Sequence, residues 1–150
     1  MSAVKRVTEG RNPLQPEYAE VLLLLSGNAI CDLRRREISL LYSAAFAGIG
    51  ICMSVMHGRG PAELLYSVIP GLVLMLFSVI TRGDIGFGDG IVVFVMGLFL
   101  SWQETATVCG IGLMLSATGA GIWFAIRRRR KDTLPFLPFL LAGYVTAMLL

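Results

Sequence analysis

The sequence predicts an all-α integral membrane protein of about six transmembrane helices, and three observations carry that expectation. The 150-residue chain is 55% hydrophobic and only 15% charged, whereas a soluble domain of this size carries roughly a quarter charged residues. Its apolar residues are gathered into runs of the length that a bilayer crossing needs. Nine of its thirteen basic residues fall in three places, Arg34 to Arg36, Arg82, and Arg127 to Lys131, and alternate loops rich in Arg and Lys mark the cytoplasmic side of a multi-pass protein. The net charge of +3 therefore reads as topology. A lipid bilayer is the expected surrounding, and nucleic acid is not an expected partner.

Residues 1–17 form an N-terminal arm. It is mixed in charge and contains Pro13 and Pro16, and it lacks the basic, then apolar, then small-residue order of a cleaved signal peptide. The first span, about Tyr18 to Leu33, ends in Asp32 and the Arg34 to Arg36 cluster, which place that end in the cytoplasm and the N-terminus outside. The second runs from about Ile38 to Met56 and contains Ser43, Ala44, Ala45, Ala47, Gly48 and Gly50, small residues that allow close helix contact. After an external turn at His57 to Pro61, a third span from about Ala62 to Ile80 carries Pro70 near its middle, where a kink is expected.

A fourth span is expected from about Asp89 to Trp102, with Gln103 and Glu104 as an external turn. The fifth, about Thr105 to Ile126, ends in Arg127 to Lys131, the strongest orientation signal in the chain. The last, Leu134 to Leu150, opens on Pro135 and Pro138, and prolines are tolerated best in a helix's first turn. This topology puts Asp32, Asp84, Asp89 and Pro135 on one side of the membrane, so the catalytic loops are expected there.

Candidate chemistry centres on Asp84-Ile85-Gly86-Phe87-Gly88-Asp89-Gly90. Ionisable side chains at the edge of a span are costly, and are functional candidates for that reason. Glycines at 86 and 88 allow a substrate or another backbone to come close, and Asp89 stands at a helix N-terminus, where the dipole favours negative charge. Asp32 is expected at the same depth. Two carboxylates in a low-dielectric pocket do not both ionise easily, so one keeps its proton while the other acts as a base. Such a pair activates water. It gives a weak case for a metal, because no third carboxylate, His or Cys stands at ligand spacing, and no cofactor is expected. Cys31, Cys52 and Cys109 are widely spaced and read as small packing residues. His57 reads as an interfacial side chain, and Asp84 as an exposed loop carboxylate near Arg82.

The order of these residues resembles the type IV prepilin peptidases, intramembrane aspartyl proteases of the Gly-x-Gly-Asp class. The resemblance rests on Asp32-Leu33-Arg34-Arg35-Arg36-Glu37-Ile38, on Gly86-Phe87-Gly88-Asp89, and on Leu134-Pro135-Phe136-Leu137-Pro138-Phe139-Leu140. It covers residues 18–150, the expected transmembrane peptidase domain. It implies a catalytic dyad of Asp32 and Asp89, with Gly86, Gly88, Pro135 and Pro138 binding substrate or shaping the loops. The implied reaction is removal of the basic leader from prepilins or pseudopilins, by cleavage after a glycine at the cytoplasmic end of their hydrophobic segment. The implied location is a prokaryotic cytoplasmic (inner) membrane.

The family usually has Ile-Pro-Asn where this chain has Ile38-Ser39-Leu40, a lysine shortly after the second aspartate, and glycine at the position of Leu137. The paired-cysteine insert of the methylating members is absent from the sequence, so methylation is not implied. The compact form is similar to peptidases of Flp/Tad-type pilus systems. A second reading keeps the same carboxylates without proteolysis: a proton-coupled transporter, or a degenerate pilus-assembly subunit that binds prepilins and does not cut them.

Overall fold

The computed structural model describes residues 16–35, 39–81, 86–127 and 136–149. They form six helices and no strands: α1 (Pro16–Arg35), α2 (Leu40–Met56), α3 (Pro61–Ile80), α4 (Phe87–Phe99), α5 (Trp102–Arg127) and α6 (Leu137–Leu149). The N-terminal arm up to residue 15, with Pro13, lies outside the described residues, as do Arg82, Asp84, Pro135 and the basic run after Arg127.

Local chemistry explains the helix ends. Pro16 and Pro61 open α1 and α3, where a missing N–H costs nothing. Ser39 caps α2, its hydroxyl accepting from the Tyr42 N–H at 3.4 Å. At the other end of α2, Gly58 takes a left-handed φ of 64°. The N–H of Arg59 then reaches the carbonyl of Ser54 and that of Gly58 the carbonyl of Val55, the pair of bonds that closes a glycine-terminated helix.

The largest departure from the expected spans is at the α4–α5 junction. Trp102 opens α5 instead of closing α4, and the turn is Leu100–Ser101. The reason is a capping box. The Ser101 hydroxyl accepts from the Glu104 N–H at 3.4 Å, and the Glu104 carboxylate accepts from the Ser101 N–H at 3.0 Å, so Gln103 and Glu104 lie inside the first turn. α3 continues as helix through Pro70.

α4 is the central element. Nine of its thirteen residues are buried, and it packs against α1, α2, α3 and α5. Glycines bring it close to α3. A Cβ on Gly71 would fall on the Phe94 backbone, and one on Gly97 would fall on the Ser67 carbonyl. α6 packs on α1 and α5, with Gly143 against the backbone of Gly112.

The exterior is apolar on most helices. Leu41, Val55, Met56, Leu65, Val79, Met114 and Leu149 are all more than half exposed. The interior holds Asn28, Ser43, Ser54, Ser67 and Thr105 besides its apolar core. Two helices, α3 and α5, are long and apolar enough to cross a membrane; α2, α4 and α6 are shorter apolar helices of 17, 13 and 13 residues. Cys109 is buried as a packing residue, whereas Cys52 is exposed, because α2 turns that face outward.

Candidate active site

Asp32 lies in the last turn of α1, and its position follows from the helix period. Val21, Leu24, Leu25, Asn28, Ala29 and Asp32 form one buried stripe, with the spacing of a single helix face. Asp32 is 9% exposed at the end of that stripe. Asp89 lies in the first turn of α4 and is 8% exposed. Because α1 packs on α4, the two carboxylates come within electrostatic reach of each other. Both are therefore buried, on different helices, and near enough for one charge to be felt by the other.

Gly86 shapes the Asp89 side of the pair. Its carbonyl accepts from the Asp89 N–H at 3.0 Å. A Cβ built on Gly86 would stand 2.8 Å from Asp89 Oδ2 and 3.3 Å from Cγ, so the carboxylate folds back over space that only glycine leaves open. Gly88 is half-buried one residue before Asp89. Gly90 lets α4 settle onto α3: its Cβ would come within 2.8 Å of the Met75 nitrogen. The height of Asp89 along the bundle is set by that contact.

Among the other expected site residues, Pro138 is the second residue of α6, in its first turn between buried Leu137 and Leu140. Pro135 and Asp84 lie outside the described residues. No group of three or more His, Cys, Asp or Glu gathers as a metal site among the described residues.

The sequence reading passed over several side chains that hold the bundle. Asn28, fully buried one turn before Asp32, donates to the Leu24 carbonyl at 3.0 Å and accepts from the Ser43 hydroxyl at 3.4 Å. Its signal was a lone amide in an apolar helix stripe. At the opposite end of the bundle, Arg59 donates to the carbonyls of Leu98 and Leu100 at 2.9 and 2.8 Å. Tyr18 donates to Glu104 at 2.8 Å and Tyr144 to the Tyr18 carbonyl at 2.8 Å. A small cleft lies there, between Tyr18, Leu100, Glu104, Val108, Tyr144 and Met148, with Tyr18 at the other end of α1 from Asp32. The carboxylate pair is at one end and this cleft at the other.

A comparison with protein families finds that residues 20–150 match the type IV leader peptidase family. No curated protein and no solved structure gives a significant match.

Proposed function

Since the chain belongs to the type IV leader peptidase family, we propose that it is a membrane aspartyl endopeptidase in which Asp32 and Asp89 together activate water. The single observation that carries the reading is the burial of two carboxylates, in the last turn of α1 and the first turn of α4, within electrostatic reach of each other. A pair so placed shares one proton. The ionised carboxylate takes a proton from water as the oxygen attacks the scissile carbonyl, and the protonated carboxyl donates to the carbonyl oxygen. When the tetrahedral intermediate collapses, the C–N bond breaks, and the amine leaves with the proton taken from water. The carboxyl that gave its proton regains it from the intermediate's hydroxyl. The pair returns to its starting state, and no group beyond the chain is consumed except water.

The substrate is a prepilin or pseudopilin, cut after a glycine between a short basic leader and the hydrophobic segment. A bilayer setting is supported by the apolar exterior and by polar side chains kept inside, the reverse of a water-soluble surface. The basic residues at the ends of α1 and α5 support a six-span bundle whose carboxylate end faces the cytoplasm. α4 has 13 residues and spans about 20 Å, against a hydrocarbon core of about 30 Å. Local thinning of the bilayer around so short a helix brings Asp89 to the interface, where the reaction finds its water.

The test is incubation of the purified protein in lipid with a prepilin carrying a basic leader and a glycine at the junction, with the products mapped by mass spectrometry. Cleavage after the glycine by wild type, lost in folded Asp32→Asn and Asp89→Asn, is expected. Tight binding without cleavage would replace the peptidase by a prepilin-binding subunit, and cleavage that survives either substitution would overturn the dyad.

A further inference from the structure

α1, which carries Asp32, is held by α2 through four residues that the hydrolytic chemistry does not use. On α1, Gly27 has no side chain, and a Cβ there would lie 2.7 Å from the ring of Tyr42. The Tyr42 hydroxyl crosses to α1 and donates to the Leu23 carbonyl at 2.8 Å. One residue further on each helix, Asn28 and Ser43 meet at 3.4 Å, and both are fully buried. The brace continues into α4, because the Tyr42 ring lies 4.8 Å from that of Phe46, which lies 6.5 Å from that of Phe99.

Asn28 and Asp32 share one buried stripe, four residues apart, so the rotation of α1 that seats the amide against Ser43 also aims the carboxylate. A buried amide and hydroxyl are costly unless they meet a partner. An apolar pair would pack there without that requirement, and the polar pair adds direction to the packing. The far end of α1 is tied separately, by Tyr18 to Glu104 and by Tyr144 to the Tyr18 carbonyl. Asn28 lies one turn from Asp32 and Tyr18 about four turns away, so the near tie sets the rotation of the carboxylate.

We infer that Asn28 and Tyr42 are positioning residues: they lock the rotation of α1 on α2 so that Asp32 faces Asp89. This rests on the dyad reading given above. Neither residue reacts. Displacement of a reacting group by about 1 Å costs up to a hundredfold in rate, so loosening the brace lowers kcat while the substrate still binds.

The experiment compares Asn28→Leu, Tyr42→Phe and the double variant with wild type in lipid, with Tyr144→Phe as a matched control at the far end of α1. The expected result is a fall in kcat of about tenfold for Asn28→Leu and about threefold for Tyr42→Phe, with KM within about twofold. Tyr144→Phe, which also removes one tyrosine bond to an α1 carbonyl, keeps its kcat. A second readout does not use activity: spin labels at Leu33 and Phe87, both exposed, in a background lacking the three cysteines. Asn28→Leu shifts or broadens the distance between them, and Tyr144→Phe does not. Wild-type kcat with an unchanged label distance would overturn the inference, as would a rise in KM at constant kcat. If wild type itself cuts no prepilin, the peptidase reading fails alone, and the label distances still decide the brace.

Discussion

The two ends of the bundle are built by different means. At the end away from the carboxylates, one buried guanidinium, Arg59, holds the carbonyls of Leu98 and Leu100 and the Ser67 hydroxyl, and Ser54 adds a second bond to Leu98. Tyr18, Ser101, Glu104 and Tyr144 tie α1, α5 and α6 there. At the carboxylate end the described constraints are mainly close contacts: Gly86 under Asp89, Gly90 on Met75, Gly27 under Tyr42. One end is bolted by charge and hydrogen bonds, and the other is fitted mainly by missing side chains, with the Tyr42 and Asn28 hydrogen bonds beside them. The first suits an anchor.

Substitutions at the two ends should therefore fail differently. The largest stability loss is expected for Arg59→Ala, which strips donors from carbonyls at the end of α4 and costs about 3 kcal/mol, read by thermal unfolding in lipid; kcat per folded molecule is unchanged. Gly71→Ala comes next, at about 2 kcal/mol, because its Cβ falls on the Phe94 backbone; an unaltered midpoint would show that α3 and α4 separate freely. Gly86→Ala inverts the pattern, with stability nearly kept and kcat lowered about tenfold, equivalent to about 1.4 kcal/mol, since the new methyl meets Asp89 Oδ2. A Gly86→Ala enzyme as fast as wild type would remove the fitted-carboxylate picture. The smallest effect is expected for Tyr144→Phe, about 1 kcal/mol of stability and no change in kcat. The pH profile sharpens the same contrast: activity falls when both aspartates are protonated and when both are ionised, whereas Arg59→Ala leaves the shape of that bell unaltered.

What was legible in the sequence was what short-range chemistry writes down. Asp32 beside Arg34 to Arg36, and Gly86-Phe87-Gly88-Asp89 opening an apolar run, located both carboxylates at helix ends because caps and charge clusters are local signals. Helix count followed from the apolar runs and the proline and glycine stops. The α4–α5 boundary departs from the expected Asp89 to Trp102 span because Ser101 and Glu104, at the spacing of a capping box, start a new helix at Trp102. Arg59, Tyr18 and Tyr144 were not legible as clamps, since Leu98, Glu104 and the Tyr18 carbonyl, which they respectively reach, lie 39 to 126 residues away in the chain. Asn28 could have been singled out as an amide in an apolar stripe. Its partner on α2 could not, because register between two helices is settled by packing along their whole length.

The central claim is that Asp32 and Asp89 work as one unit, and a double-substitution cycle tests it most directly. Prepilin cleavage is measured for wild type, Asp32→Asn, Asp89→Asn and the double variant, each verified as folded. The account predicts that each single variant loses as much activity as the double, because removing either carboxylate disables the pair. Losses that multiply in the double variant, or a single variant retaining more than about a tenth of wild-type cleavage, would show that the two carboxylates act independently.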